Sequence, residues 1–262
     1  MLLVIDVGNT NTVLGVYEGK ELRAQWRLST NRRQTADEYG ILIRNLFILD
    51  GVQPSQIDAV MVASVVPPLN AVLEEMAAKY FHLDAMFLGP GTRTGMAINY
   101  ENPQEVGADR IADAVAAFEK YGGPCVVVDF GTAITFDAVS EKGEYLGGVI
   151  APGLAISSEA LFQQAARLPR VEIREPNRVI GTNTVGSMQS GLFYGAVGLV
   201  DGILDRLSAL LGEKTKVVAT GGQASLIAAA SKYKPPVDPS LTLEGLRLIY
   251  ERNLPDTRHK QV

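Results

Sequence analysis

Two carboxylates in this chain each close an apolar run and open the same kind of turn. Asp6 follows Leu2-Leu3-Val4-Ile5 and begins Asp6-Val7-Gly8-Asn9-Thr10, and Asp129 follows Val126-Val127-Val128 and begins Asp129-Phe130-Gly131-Thr132. A strand that is apolar at every position is of the kind buried on both faces. Glycine lets backbone come close to a ligand, threonine and main-chain N–H groups bind phosphate oxygens, and a carboxylate at a strand end can hold the water shell of a cation. A returning strand is expected after each turn, over residues 11–17 and 133–139. The chemistry this device could perform is the handling of a polyphosphate, and two copies facing each other would grip the two ends of a triphosphate. Asp, Gly and Asn also form ordinary hairpin turns. The shared order of strand, carboxylate, glycine and threonine sets this pair apart from two unrelated turns.

Further candidates lie between and after the two copies. Residues 89–109 contain glycines and prolines without a clear period, and so long an irregular segment in a compact domain is usually functional. Tyr100 is an isolated aromatic within it, and Asp109 at its end is either a chemical group or the N-cap of the following helix. Thr182-Asn183-Thr184 precedes a glycine-rich helical stretch and reads as a cap or as a substrate contact. No Walker sequence and no G-x-G-x-x-G after a strand occurs. His82 and His259 lie far apart and outside the glycine-rich loops, which argues against histidine catalysis and against a zinc site.

The elements that must position these residues follow from local pattern. Strands are expected through about Leu28. Thr35-Ala36-Asp37-Glu38 has capping-box spacing, and Tyr39, Ile43 and Leu46-Phe47 continue an apolar stripe at helical period. Residues 59–63 read as a buried strand that Pro67-Pro68 stops, with helix resuming through Tyr80. Ile111, Val115 and Phe118 share a face of a helix over residues 110–121, stopped by Gly122-Gly123-Pro124. In the second half a hairpin is expected at residues 141–144, a helix around 157–166, and a buried strand at 217–222 whose glycine turn could carry the base or ribose of a nucleotide. Gly191, Gly195, Gly198 and Gly202 line one face of a helix. Each costs that helix about 1 kcal/mol against alanine, so another backbone is expected to pack close, across a domain cleft or across a dimer.

Composition narrows the class. The chain has 262 residues, 47% of them apolar, with 26 glycines and a formal net charge of −5. That is the make-up of a packed α/β protein of two domains, expected over residues 1–115 and 116–262. With no basic cluster longer than Arg32-Arg33, nucleic acid and anionic membrane are not expected partners. Asp6 arrives before a basic flank or signal-peptide core can form, and polar residues and glycines interrupt the uncharged run 180–200, so no membrane span is expected. The single cysteine, Cys125, reads as a buried core thiol in a reducing compartment.

Four short motifs in this order and spacing resemble the type III pantothenate kinase family: Asp6-Val7-Gly8-Asn9-Thr10, Gly107-Ala108-Asp109-Arg110, Asp129-Phe130-Gly131-Thr132 and Gly147-Gly148-x-x-x-Pro152-Gly153. The resemblance covers nearly the full chain. It implies two similar α/β domains of the actin-like, sugar-kinase-like ATPase (ribonuclease H-like) fold with a nucleotide cleft between them. It implies ATP-dependent phosphorylation of pantothenate to 4'-phosphopantothenate, the first step of coenzyme A biosynthesis. Carried over by position, it implies that Asp6, Val7, Gly8, Asn9, Thr10, Asn11, Thr12, Val13 and Thr132 bind ATP. Asp129 would hold a monovalent cation, K⁺ or NH₄⁺. Tyr100, Gly107, Ala108, Asp109, Arg110 and Thr184 would bind pantothenate, with Asp109 accepting the hydroxyl proton. A cytoplasmic homodimer is implied, with the pantothenate pocket beside the subunit interface.

Electrostatics requires cations in such a site. At about 4 Å, each unpaired like-charge contact between a carboxylate and a phosphate costs on the order of 4 kcal/mol at an effective dielectric near 20. Mg²⁺ near Asp6 and a monovalent ion near Asp129 answer this, and Arg110 is a local positive charge for the pantothenate carboxylate or the transferring phosphoryl group. Two other classes stay open on sequence: another small-molecule kinase or phosphohydrolase of the same fold, and a non-catalytic nucleotide-binding relative.

Overall fold

The structure is a computed structural model and describes residues 1–255; His259 lies outside them. Along the chain run β1 (Leu2–Val7), β2 (Asn11–Glu18), β3 (Glu21–Ser29), α1 (Ala36–Leu49), β4 (Ala59–Ser64), α2 (Asn70–Phe81), β5 (Ala85–Phe87), β6 (Ala97–Ile98) and α3 (Ala108–Tyr121). There follow β7 (Cys125–Phe130), β8 (Ala133–Val139), β9 (Glu144–Pro152), α4 (Leu154–Gln164), α5 (Thr184–Leu211), β10 (Lys216–Thr220), α6 (Ala224–Ala228) and α7 (Leu241–Asn253). They form two compact units, one of residues 1–97, 101–116 and the segment from 241 on, the other of residues 98–100 and 117–240.

In the first unit the strands lie in the order β3-β2-β1-β4-β5. β1 pairs antiparallel with β2 and parallel with β4. Successive side chains of a strand point to opposite faces, and both faces of β1 are covered, which is why its run is apolar throughout. Leu3, Ile5 and Val7 share a core with Tyr39, Ile43 and Phe47 of α1 and Leu73 and Met76 of α2. The expected capping box starts α1: Thr35 accepts from the Glu38 N–H, and the Glu38 carboxylate accepts from the Thr35 N–H at 2.8 Å. On the other face, the side of Val4 and Gly15, lies α7, whose Leu243 packs against Gly15.

The second unit repeats the plan. Its strand order is β10-β7-β8-β9-β6, so β7 stands between an antiparallel and a parallel neighbour as β1 does. β1 and β7 also share one burial profile, with four buried residues, a half-buried aspartate and a buried last residue. Val126, Val128, Phe130 and Phe136 pack with Phe193, Ala196, Val200 and Leu204 of α5.

Three features depart from expectation. The segment from Leu241 on belongs to the first unit, whereas the expected second domain ran over residues 116–262. The reason is the covering of the second face of β1, together with Gly245, whose Cα rests so close to Ala112 of α3 that a Cβ there would overlap the Ala112 carbonyl. Residues 89–109 contain β6 and a 3₁₀ turn at Pro103–Glu105 and are tied to the end of α7. The Arg93 N–H donates to Asn253 Oδ1 at 3.0 Å, the Asn253 amide donates back to the Arg93 carbonyl at 2.9 Å, and Arg252 donates to the Thr94 carbonyl. These partners are 160 residues apart for Arg93 and Asn253, out of reach of any local pattern. Finally, α4 begins at Leu154, earlier than the expected 157, because Gly153 takes the N-cap position. Among the described residues no helix is long and apolar enough to cross a membrane.

Overpacking a close contact typically costs about 1–3 kcal/mol. Gly245→Ala is therefore expected to lower the urea midpoint of the protein by that amount of stability, measured by equilibrium denaturation. Gly89→Ala, at an exposed position where nothing lies within 4 Å of an added Cβ, is expected to leave it unchanged or raise it.

Candidate active site

The first loop is held from three sides. Asp6 is opposite Val13 of β2 and Ala63 of β4, at the last position but one of β1. The loop residues Gly8, Asn9 and Thr10 are closed by the Gly8 N–H, which donates to the Asn11 carbonyl at 3.0 Å. Thr30, just past β3, donates its N–H to the Thr10 carbonyl at 2.9 Å and its hydroxyl to the Gly8 carbonyl at 2.7 Å. The same hydroxyl lies 2.9 Å from that of Thr12, which is wholly buried. From the β4 side, the Val65 N–H donates to the Val7 carbonyl at 3.0 Å. The Arg32 guanidinium donates to Asn9 Oδ1 at 2.9 Å.

The second loop is shorter, with only Gly131 and Thr132 between β7 and β8. The Gly131 N–H donates to the Ala133 carbonyl at 3.0 Å. Asp129 is opposite Thr135 of β8 and Thr220 of β10. Three glycines make the surroundings possible. A Cβ at Gly153 would overlap the Thr132 carbonyl oxygen, so only glycine lets the start of α4 sit against this loop. A Cβ at Gly221, whose φ is +93°, would overlap Asp129 Oδ1, and one at Gly131 would lie 3.3 Å from Asp129 Oδ2. The Asp129 carboxylate is thus flanked by two residues that present no side chain.

Asp109 is not a cap. α3 begins at Ala108, so Gly107 holds the cap position and Asp109 lies in the first helical turn, where a negative charge is favoured by the helix dipole. Its Oδ1 accepts the Arg110 N–H at 2.8 Å, and a Cβ at Gly107 would overlap that oxygen. Burial pushes the Asp109 carboxyl above the usual aspartate value, and the Arg110 N–H and charge offset this only in part. Arg110 is itself buried.

Tyr100 and Thr184 belong to the second unit. The Tyr100 ring is tilted against buried Tyr145, with centroids 6.4 Å apart, and Gly147 at φ +115° leaves room beside it. Tyr145 is anchored by donating to Asp137 Oδ1 at 2.7 Å, and Thr135 donates to the other oxygen at 3.1 Å. Asn183 is the cap of α5, accepting the Gly186 N–H at 2.8 Å. That assigns the capping role within Thr182-Asn183-Thr184 and leaves Thr184 exposed, lining a groove of 740 Å³ with Thr182, Ser187, Met188 and Gly191. Thr30, Arg32 and Tyr145 carry no local signal of a role; only partners elsewhere in the fold place them at these sites. Cys125 is buried as expected, and burial pushes its thiol up to about 11. His82 ends α2 in the left-handed conformation at φ 58°, an exposed surface position.

A strand ending in a carboxylate and glycine turn, placed between an antiparallel and a parallel neighbour in each of two sheets (β2-β1-β4 and β8-β7-β10), is the arrangement of the sugar-kinase-like and actin-like ATPase fold. Among solved structures, a ROK family glucokinase from Streptomyces griseus, in complex with glucose and AMPPNP, matches with a TM-score of 0.53 at 11% identity, over 96% of this chain and 99% of that one. A structure from Campylobacter jejuni described as a Baf family transcriptional activator matches with a TM-score of 0.62 at 22% identity, over 96% and 98%. At such identities the likeness is one of fold. The type III pantothenate kinase family model matches residues 2–206, and the chain belongs to that family. Type III pantothenate kinases from Myxococcus xanthus and Koribacter versatilis are 62% and 58% identical to it, over 97% and 100% of this chain and 99% of each relative.

A carboxyl whose pKa is raised on folding binds its proton more tightly in the folded state, so stability falls as pH rises from the ordinary aspartate value through the raised one. At neutral pH the ionised, buried Asp109 therefore costs stability. Asp109→Asn is expected to melt at or above the wild-type temperature at pH 7, with the difference shrinking as pH falls toward about 4, measured by calorimetry across that range. A lower melting temperature at pH 7 would mean that the Arg110 interactions outweigh burial.

Proposed function

We propose that this protein phosphorylates pantothenate with ATP, giving 4'-phosphopantothenate at the entry to coenzyme A synthesis. The observation that carries the reading is full-length membership of the type III pantothenate kinase family, and the duplicated loops agree with it. Residues 6–13 bind ATP, and Thr132 contributes from the second loop. Tyr100, Gly107, Ala108, Asp109, Arg110 and Thr184 bind pantothenate.

Asp109 is the base. As the pantothenate hydroxyl oxygen attacks the γ-phosphorus and the bond to the bridging oxygen of ADP breaks, the hydroxyl proton passes to the Asp109 carboxylate. Its raised pKa suits the task, since a base is most effective when its pKa lies nearer the working pH. Phosphoryl transfer through a loose transition state asks mostly for positioning and charge stabilisation, which Arg110 and the loop N–H groups provide.

The donor set suits the implied cations. Mg²⁺ usually keeps several waters and takes one or two carboxylates plus substrate phosphates, a role Asp6 at the end of β1 can fill. Asp129, a half-buried carboxylate at the end of β7 with glycines beside both oxygens, would hold the monovalent ion. Bound there, such ions supply positive charge against the phosphates. The buried Cys125 thiol fits a reducing, cytoplasmic setting.

The protein acts as a homodimer in this reading. Gly191, Gly195 and Gly198 are exposed on α5, and no atom of their own unit lies within 4 Å of an added Cβ. Close packing inside the unit does not account for this costly face, and the α5 face of a second copy does. Gly195→Leu is expected to shift the mass seen by light scattering from dimer toward monomer; an unchanged dimer places the interface elsewhere.

In a coupled assay, ADP release is expected to require pantothenate, to be unsupported by glucose, and to drop when sodium replaces potassium. Asp109→Asn is expected to lower kcat by about 10²–10⁴-fold while ATP binding survives. Equal ADP release with and without pantothenate would overturn the substrate, and a variant within about tenfold of wild type, below that range, would overturn the base.

A further inference from the structure

We propose that Arg32 is a ligand of the nucleotide phosphates and that Thr30 is the positioning residue for the loop beside it, making the β3–α1 connection a third part of the ATP site. The proposal rests on the reading that residues 6–13 hold ATP.

The first loop needs help that its own sequence does not supply. Residues 6–13 carry no cationic side chain, and a carboxylate stands at their start. The Gly8 N–H is already committed to the Asn11 carbonyl. A triphosphate there meets the Asp6 carboxylate and no cationic side chain of the loop. Arg32 is the cation the fold brings to this loop: its guanidinium lies against the tip residue Asn9, donating to Oδ1 at 2.9 Å. No carboxylate is within ion-pair distance of Arg32 among the described residues, unlike Arg23, Arg170 and Arg247. Arginine has five N–H donors in a fixed fork that matches phosphate geometry, and Asn9 takes one of them.

Arg32 is also held in place. Thr30 clamps the segment to the loop through the Thr10 and Gly8 carbonyls. The Gln34 N–H donates to the Asn31 carbonyl at 3.1 Å and the Arg33 N–H to Asn31 Oδ1 at 3.0 Å, closing a turn. The Thr35–Glu38 capping box fixes the start of α1 directly after it. An exposed arginine on a segment hydrogen-bonded at both ends has its backbone ordered before ligand arrives, which reduces the ordering cost of binding.

Isothermal titration calorimetry with the β,γ-imido analogue of ATP and Mg²⁺, and with adenosine, tests this on the full-length protein. Arg32→Ala is expected to weaken the analogue by about ten- to hundredfold, the range of one charge-assisted hydrogen bond, and to leave adenosine unchanged. Arg32→Lys should recover part of the loss, since it keeps charge but not the fork. Arg33→Ala, which removes the same charge one residue away, should bind as wild type. Thr30→Val should weaken the analogue selectively and Thr30→Ser, which keeps the hydroxyl, should restore it. Gly8→Val separates the two readings. If it weakens the analogue and Arg32→Ala does not, the loop holds ATP without Arg32 and the proposal is wrong. If neither weakens it, residues 6–13 are not the phosphate site and both readings fall. An equal loss for adenosine and the analogue in Arg32→Ala would also overturn the proposal.

Discussion

Parallel pairing of β1 with β4 and of β7 with β10 is the constraint on which the rest of each unit depends. β1 and β7 each have a sheet neighbour on both edges and are buried on both faces, so only their ends can carry chemistry. Asp6 and Asp129 stand at the last position but one, with register partners on both sides. Turns that leave the carboxyl ends of parallel strands are the usual ligand-binding places in α/β sheets. Here both turns lead into an antiparallel return strand and are therefore short and strongly tied.

Space around the carboxylates is made by glycine, and the glycines divide by purpose. Gly107, Gly153 and Gly221 each lie where a Cβ would overlap a carboxylate oxygen or loop carbonyl. Gly245 serves packing, letting α7 touch α3 one turn beyond Asp109. Gly191, Gly195 and Gly198 meet nothing within their own unit. All look alike in composition, and only their surroundings separate a site glycine from a packing glycine and from an open face.

Electrostatics then assigns unlike parts to like residues. Asp109 is desolvated, and its carboxyl is raised although an arginine follows it. Asp129 is half-buried, with Gly221 packed against Oδ1 and Gly131 beside Oδ2. Asp137, fully buried, receives hydroxyl hydrogen bonds from Tyr145 and Thr135 and serves the wall behind Tyr100. Four aspartates, counting Asp6, share one side-chain chemistry and differ only in how much water and how many donors the fold leaves them.

The sequence by itself determined the features that depend on neighbours along the chain. The two apolar strands with their carboxylates, the capping box at Thr35, the strand stopped by Pro67-Pro68 and the buried Cys125 were legible because period, caps and turn chemistry are local. The four motifs carried the family as well. Tertiary structure alone decided what depends on contacts across long separations. It put the segment from Leu241 on with the N-terminal unit, because the second face of β1 required a cover. It tied residues 89–109 to the end of α7 through Arg93 and Asn253, and gave the cap of α5 to Asn183, leaving Thr184 exposed. It placed Asp109 in the first turn of α3, where the sequence had left the cap position open, and it placed Thr30 and Arg32 against a loop some twenty residues earlier in the chain. Side-chain type and spacing state what a residue can do; the hydrogen bonds and burial that select one role come from partners no local window contains.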